Sequence, residues 1–180
     1  MGAASLVLVV IYPLMKRITY WPQAFLGLTF NWGILVGWTA ITSTLPTVII
    51  PLYMSGVMWT LMYDTIYAIQ DRNCDVIAGV KSSAIRIQGH TKLFLSLMSA
   101  GQISLLVLAG YLNGQGIPFY LIGCGGAMIH LGWQIYTLIE SNLVNVKDRF
   151  MSNAWVGFVI LLGVVSDIIY KRNRKNKCLE

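Results

Sequence analysis

YDTIYAIQDRNCDVIAGVKSSA, Tyr63 to Ala84, carries three of the chain's seven acidic residues, Asp64, Asp71 and Asp75, at the end of a long apolar run. At about 100° per residue along a helix, Asp64 and Asp71 differ by about 20°, and Asp71 and Asp75 by about 40°. One helix would therefore present all three carboxylates on one face. Like charges at i, i+4 repel, so the arrangement calls for a counter-charge. Two readings are open. In one, the stretch is a solvated loop whose acids pair with Arg72, Lys81 and Arg86. In the other, a divalent cation neutralises the acids. Magnesium prefers carboxylate oxygens, keeps several waters and bridges to substrate phosphates. A DxxxD pair at a helix end suits that role. The depth of Asp64 favours the second reading, because ionisable groups within apolar spans are costly and mark functional sites.

Outward from this stretch the chain is apolar. It has 180 residues, 56% of them hydrophobic and only 11% charged, where a soluble domain carries about 25%. That density predicts an all-α, polytopic transmembrane helix bundle in one membrane domain, residues 1–180. The pattern predicts five full spans and a partial first one. The partial span is Ala3–Met15, too short for the roughly 20 residues a crossing needs. The full spans are Gln23–Thr42, a third from Pro46 to about Tyr67, then Leu93–Leu112, Phe119–Ile139 and Met151–Tyr170. Residues 63–92 carry the acidic motif and run into a polar loop, 140–150 form a second loop, and 171–180 form a basic tail. The loops at Lys16–Arg17, 70–92 and 140–150 share one side and hold eight basic residues. The five on the other side are all in the tail, so the positive-inside rule puts the polar loops inside.

The net charge of +6 does not read as a nucleic-acid footprint. Five of thirteen basic residues sit in the last ten positions, and no basic face with interleaved aromatics occurs. Cys74, Cys124 and Cys178 are widely spaced without CxxC, which excludes a zinc ribbon or disulfide framework. The N-terminus lacks a basic n-region and an Arg-rich leader.

Other polar positions admit two readings each. Lys16 and Arg17 end the first apolar run on the loop side. They are either positive-inside anchors or a clamp for a diphosphate or a substrate carboxylate. Asn31, mid-span beside Trp32, points into a cavity or bonds a neighbouring helix. His130 reads as a helix–helix hydrogen bond, and Asp167 as interfacial.

YDTIYAIQDRNCDVIAGVKSSAIRIQG, residues 63–89, resembles the second aspartate-rich motif of the UbiA superfamily of intramembrane aromatic prenyltransferases. Within it, the branch that prenylates 4-hydroxybenzoate for ubiquinone is the most similar. YPLMKR resembles the family's YxxxK element through Tyr12 and Lys16, and NWGILVGWTA resembles the following span. The resemblance implies a helical bundle around a cavity open sideways to lipid. It implies polyprenyl diphosphate and an aromatic acid as substrates, and Mg2+ as cofactor. It implies Asp71 and Asp75 as metal ligands, Lys16 on the diphosphate and Arg17 on the acceptor carboxylate. Asp64, Tyr67 and Lys81 match motif positions with less defined roles. A mitochondrial inner membrane location with loops toward the matrix follows for a eukaryotic source, the bacterial inner membrane for a prokaryotic one, with a ubiquinone-biosynthesis complex as partner.

Two departures stand out. Asn73 and Cys74 occupy places where relatives often carry further aspartates, and the family's first motif, NDxxDxxxD, is absent. The expectation is therefore a C-terminal portion holding half of the metal site, inactive alone. The competing expectation is a shortened, non-catalytic membrane protein that binds prenyl lipid or a full-length partner.

Overall fold

The computed structural model describes residues 2–177, and every regular element among them is helical. Cys178 and the rest of the expected basic tail's end lie outside the described residues. The helices are α1 (Ser5–Ile18), α2 (Pro22–Phe30), α3 (Trp32–Thr42), α4 (Ile49–Ile77), α5 (Ser83–Arg86), α6 (Thr91–Leu112), α7 (Gly126–Tyr136), α8 (Leu143–Met151) and α9 (Asn153–Lys177). A π-helical stretch, Phe119–Gly125, leads directly into α7.

Among the described residues, three stretches are long and apolar enough to cross a membrane: Pro22–Thr42, Thr91–Leu112 and Leu143–Asn176. The other expected spans are helical too. However, α1 has only 14 residues, the 119–136 stretch joins a seven-residue π segment to an 11-residue helix, and α4 ends in acids.

At the centre stands α4, with α6 along its length and α2, α5 and α8 around it. Met62, Ile66 and Ile69 of α4 are buried against Leu95 of α6, Leu131 of α7, Val146 of α8 and Val156 of α9. Between lipid-embedded helices such contacts hold by close packing rather than by escape from water. The helix can carry Pro51 because that residue lies in the first turn, where its missing N–H has no intrahelical acceptor.

The end of α4 is set by Gly79, whose φ of 67° lies in the left-handed region. The Val80 N–H donates to the Asp75 carbonyl at 3.0 Å and Gly79 N–H to Val76 at 3.2 Å, a Schellman stop. This corrects the expected polar loop. The helix runs ten residues past Tyr67, so Asp71 and Asp75 are helical, and only the short α5 and its flanking turns fill the segment to Thr91. The expected 140–150 loop is likewise mostly helix. Asn142 caps α8 by accepting from Asn145 N–H at 3.1 Å, and Val146 is fully buried. Arg72 and Glu140, 2.8 Å apart, tie the end of α4 to the α7–α8 connection.

Two polar residues have partners or surroundings that the sequence leaves open. Asp167, expected at the membrane interface, is fully buried within the protein. It accepts from Lys171 at 2.7 Å and from Gly116 N–H at 2.9 Å, latching the α6–π connection to α9. His130 packs against Trp133 of its own helix in a tilted ring contact, with 5.3 Å between centroids, and its Nε2 has no partner among the described residues.

Candidate functional site

The ends of α1 and α4 enclose a pocket of about 70 Å³. From α4 come Asp64, Tyr67, Ala68, Asp71 and Asp75, from α1 Tyr12 and Lys16, from the start of α2 Pro22 and Gln23, and from the α4–α5 turn Ser82. The helical phase of the three aspartates produces this grouping, as the 63–84 stretch predicts. The rise of α4 sets them out lengthwise, with Asp64 about 10 Å and Asp75 about 6 Å from Asp71 along the axis. They form a ladder rather than a cage. Accordingly, no group of three or more His, Cys, Asp or Glu among the described residues is close enough to hold a metal ion by itself.

None of the three carboxylates makes a hydrogen bond or ion pair among the described residues. Two of the cations that a solvated loop would use are committed elsewhere, and Arg86 is exposed outside the pocket lining. Arg72 goes to Glu140. Lys81 donates its ammonium to the Ile18 carbonyl at 3.0 Å and lies over the Tyr20 ring at 5.4 Å. The result is a row of bare, hard oxygen donors beside a lysine. That donor set fits magnesium arriving with a phosphate, since the ion is ordinarily held by one or two carboxylates, waters and phosphate oxygens.

Three residues expected at the site stand outside this lining. Arg17 follows Lys16 by about 100° around α1 and is not part of the lining. Lys81 supplies donors to the unsatisfied carbonyls at the end of α1: its ammonium to Ile18, and its backbone N–H to Lys16 at 2.8 Å. Asn31 donates to Thr60 Oγ1 and to the Gly27 carbonyl, both at 2.8 Å. It does bond a neighbouring helix, and it also lines a separate cavity of about 320 Å³ with Phe30, Trp59, Tyr63, Phe150 and Met151. Consecutive residues of α4, Tyr63 and Asp64, thus face the apolar cavity and the acidic pocket.

Two polar lining residues, Gln23 and Ser82, are not among those the sequence marks. Gln23 is buried and accepts from the Ser83 N–H at 3.3 Å. Ser82 stands in GVKSSA, directly after the Gly79 stop. Polar residues beside a proline and in a turn carry no periodic signal that would mark them.

The UbiA prenyltransferase family matches residues 1–158. The chain is 49% identical over 179 residues to a Homo sapiens protein named "4-hydroxybenzoate polyprenyltransferase, mitochondrial", a match covering 98% of this chain and 48% of that one. An Arabidopsis thaliana protein of the same name is 50% identical over 166 residues, covering 92% of this chain and 40% of that one. The chain thus spans about half the length of the curated relatives it matches. Among solved structures, the apo structure of a UbiA homolog from Aeropyrum pernix K1 aligns with a TM-score of 0.76 at 20% identity. It covers 92% of this chain and 62% of the other, a likeness of fold.

Proposed function

This chain belongs to the UbiA prenyltransferase family, and from that premise we propose that it serves the transfer of a polyprenyl group from its diphosphate to the ring of 4-hydroxybenzoate. The observation that carries the reading is the unpaired carboxylate ladder facing Lys16 across one pocket. The names of the relatives at 49% and 50% identity support the choice of acceptor.

In this reading Asp71 and Asp75 hold magnesium, and Lys16 donates to diphosphate oxygens opposite them. Bound magnesium would offset the charge that builds on the departing diphosphate. Asp64, further along α4 toward the apolar core, places a negative charge where the allylic carbon becomes cationic. Tyr12 and Tyr67 wall the pocket. Lys81 positions Lys16 through the end of α1 rather than touching substrate. Arg17 is the cation available to the acceptor's carboxylate. The cavity at Tyr63 and Asn31 takes apolar substrate and keeps water from the cation. The 180 residues supply the second aspartate-rich half of the site, working in the mitochondrial inner membrane with the α4 end toward the matrix, beside other ubiquinone-forming enzymes. The relatives' names support a mitochondrial location and the membrane-length helices a membrane one, and the eight basic residues on the loop side favour that side as the inner one.

The test joins this chain to the N-terminal half of the human relative and measures prenylated 4-hydroxybenzoate in membranes. Product is expected from the chimera, with at least a hundredfold loss in Asp71→Asn and Asp75→Asn. Undiminished product from those variants would overturn the site. Product from the 180-residue chain alone would overturn the assignment of half a site.

A further inference from the structure

Beside the three carboxylates, Ser82 also lines the pocket with a polar side chain that has no partner among the described residues. It is 2% exposed, and its Oγ has no hydrogen-bond partner among the described residues. Burying a hydroxyl without a partner is unfavourable, and an orphan at the wall of a pocket points to an absent ligand. Its position sharpens the anomaly. Ser82 is the residue before α5, with extended backbone (φ −143°, ψ 159°), where serine ordinarily turns its hydroxyl onto a free N–H of the first turn. Here it makes no such bond.

The surroundings keep Ser82 in place without using its hydroxyl. On one side Lys81 is held to α1 by its backbone and its ammonium. On the other, Ser83 Oγ bonds Thr65 Oγ1 at 2.7 Å and Ser83 N–H donates to Gln23. Two adjacent serines therefore differ in kind: one hydroxyl is spent on packing, and the other, on a residue of the wall shared with Lys16 and the acids, has no partner among the described residues.

We infer that Ser82 is a substrate-binding residue whose hydroxyl donates to a phosphate oxygen of the magnesium-bound diphosphate. The assignment rests on the reading of the pocket given under Proposed function. A hydroxyl is the group that suits this place. Carboxylates only accept, and a second ammonium would neutralise the acids that hold the metal. Ser82 adds a donor without adding charge.

The experiment measures binding of inorganic diphosphate in the presence of magnesium to the 180-residue chain in lipid nanodiscs, together with the melting temperature without ligand. Ser82→Ala is expected to bind about tenfold more weakly and to melt no lower than wild type, because it removes an unsatisfied group. Ser82→Thr keeps the donor and is expected to bind like wild type. Should Ser82→Ala fail to fold, Ser82→Cys, close in shape and a poor donor, takes its place with a similar loss. Equal binding by wild type and the variant, or a lowered melting temperature with unchanged binding, overturns the role of Ser82 alone. Absence of binding by wild type overturns the reading of the pocket, and the role of Ser82 with it.

Discussion

The backbone N–H of Lys81 donates to the carbonyl of Lys16 across 2.8 Å, joining the turn after the acidic helix to the end of the helix that brings the pocket's lysine. The side chain of Lys81 reinforces the same joint through Ile18 and Tyr20. Lys81→Met keeps the backbone bond and loses both side-chain contacts. Faster amide hydrogen exchange over residues 16–21 is expected, with a stability loss of about 0.5–1 kcal/mol. Lys81→Arg should restore part of the protection. Unchanged exchange in Lys81→Met would remove Lys81 from the joint.

Magnesium should act on the protein through the acids at the end of α4. Their carboxylates have no partner among the described residues, so ion binding relieves repulsion that folding alone leaves in place. Adding magnesium with diphosphate is expected to raise the melting temperature of wild type by mass action. Chelation should reverse the shift. Asp71→Asn or Asp75→Asn should abolish it, while gaining about 0.2–0.5 kcal/mol without metal as the i, i+4 repulsion is lost. A shift that survives both substitutions would place the ion elsewhere.

Gly56 is where α4 makes room for the Asn31 amide. A methyl group there would run into the Asn31 side chain. Gly56→Ala is expected to cost about 1–3 kcal/mol, read as a lowered melting temperature. Gly56→Ala combined with Asn31→Ala should lose less than the sum of the two single changes, because the clash and its target disappear together. Strict additivity would mean that the two residues do not meet.

Asp167 offers a contrast with the pocket acids. It is fully buried, and its Oδ2 is held by Lys171 and by Gly116 N–H, while its Oδ1 has no partner among the described residues. Asp167→Ala leaves the Gly116 amide without its acceptor and should cost about 1–3 kcal/mol. The binding of magnesium diphosphate to the remaining folded protein should be unchanged. Lys171→Met should cost less, since that side chain is 46% exposed. A binding defect in Asp167→Ala with stability intact would contradict a purely structural latch.

The helical bundle and the acidic face were legible because both rest on periodicity. Apolar runs of membrane length and a spacing of seven and four residues between aspartates survive any detail of packing. What periodicity could not supply was where helices stop. Low hydropathy around residues 70–77 and 140–150 reads as loop, yet the first segment is extended to Gly79 by the Schellman bonds. The second is started by the Asn142 cap and held by the buried Val146. Individual side-chain duties were equally out of reach. Lys16 and Lys81 are both lysines near the acids in sequence or space, and only the geometry separates the one that lines the pocket from the one that closes off α1. Asp167 illustrates the same limit, since its partners Gly116 and Lys171 lie on two different segments.

Tyr63 and Asp64 are neighbours in sequence but open onto two different cavities, one apolar and one acidic. Both are fixed to a single unbroken rod, so the distance between the greasy compartment and the charged one cannot drift as the bilayer fluctuates. An amphiphile drawn to this helix has its head and its tail registered at the same moment by one rigid element.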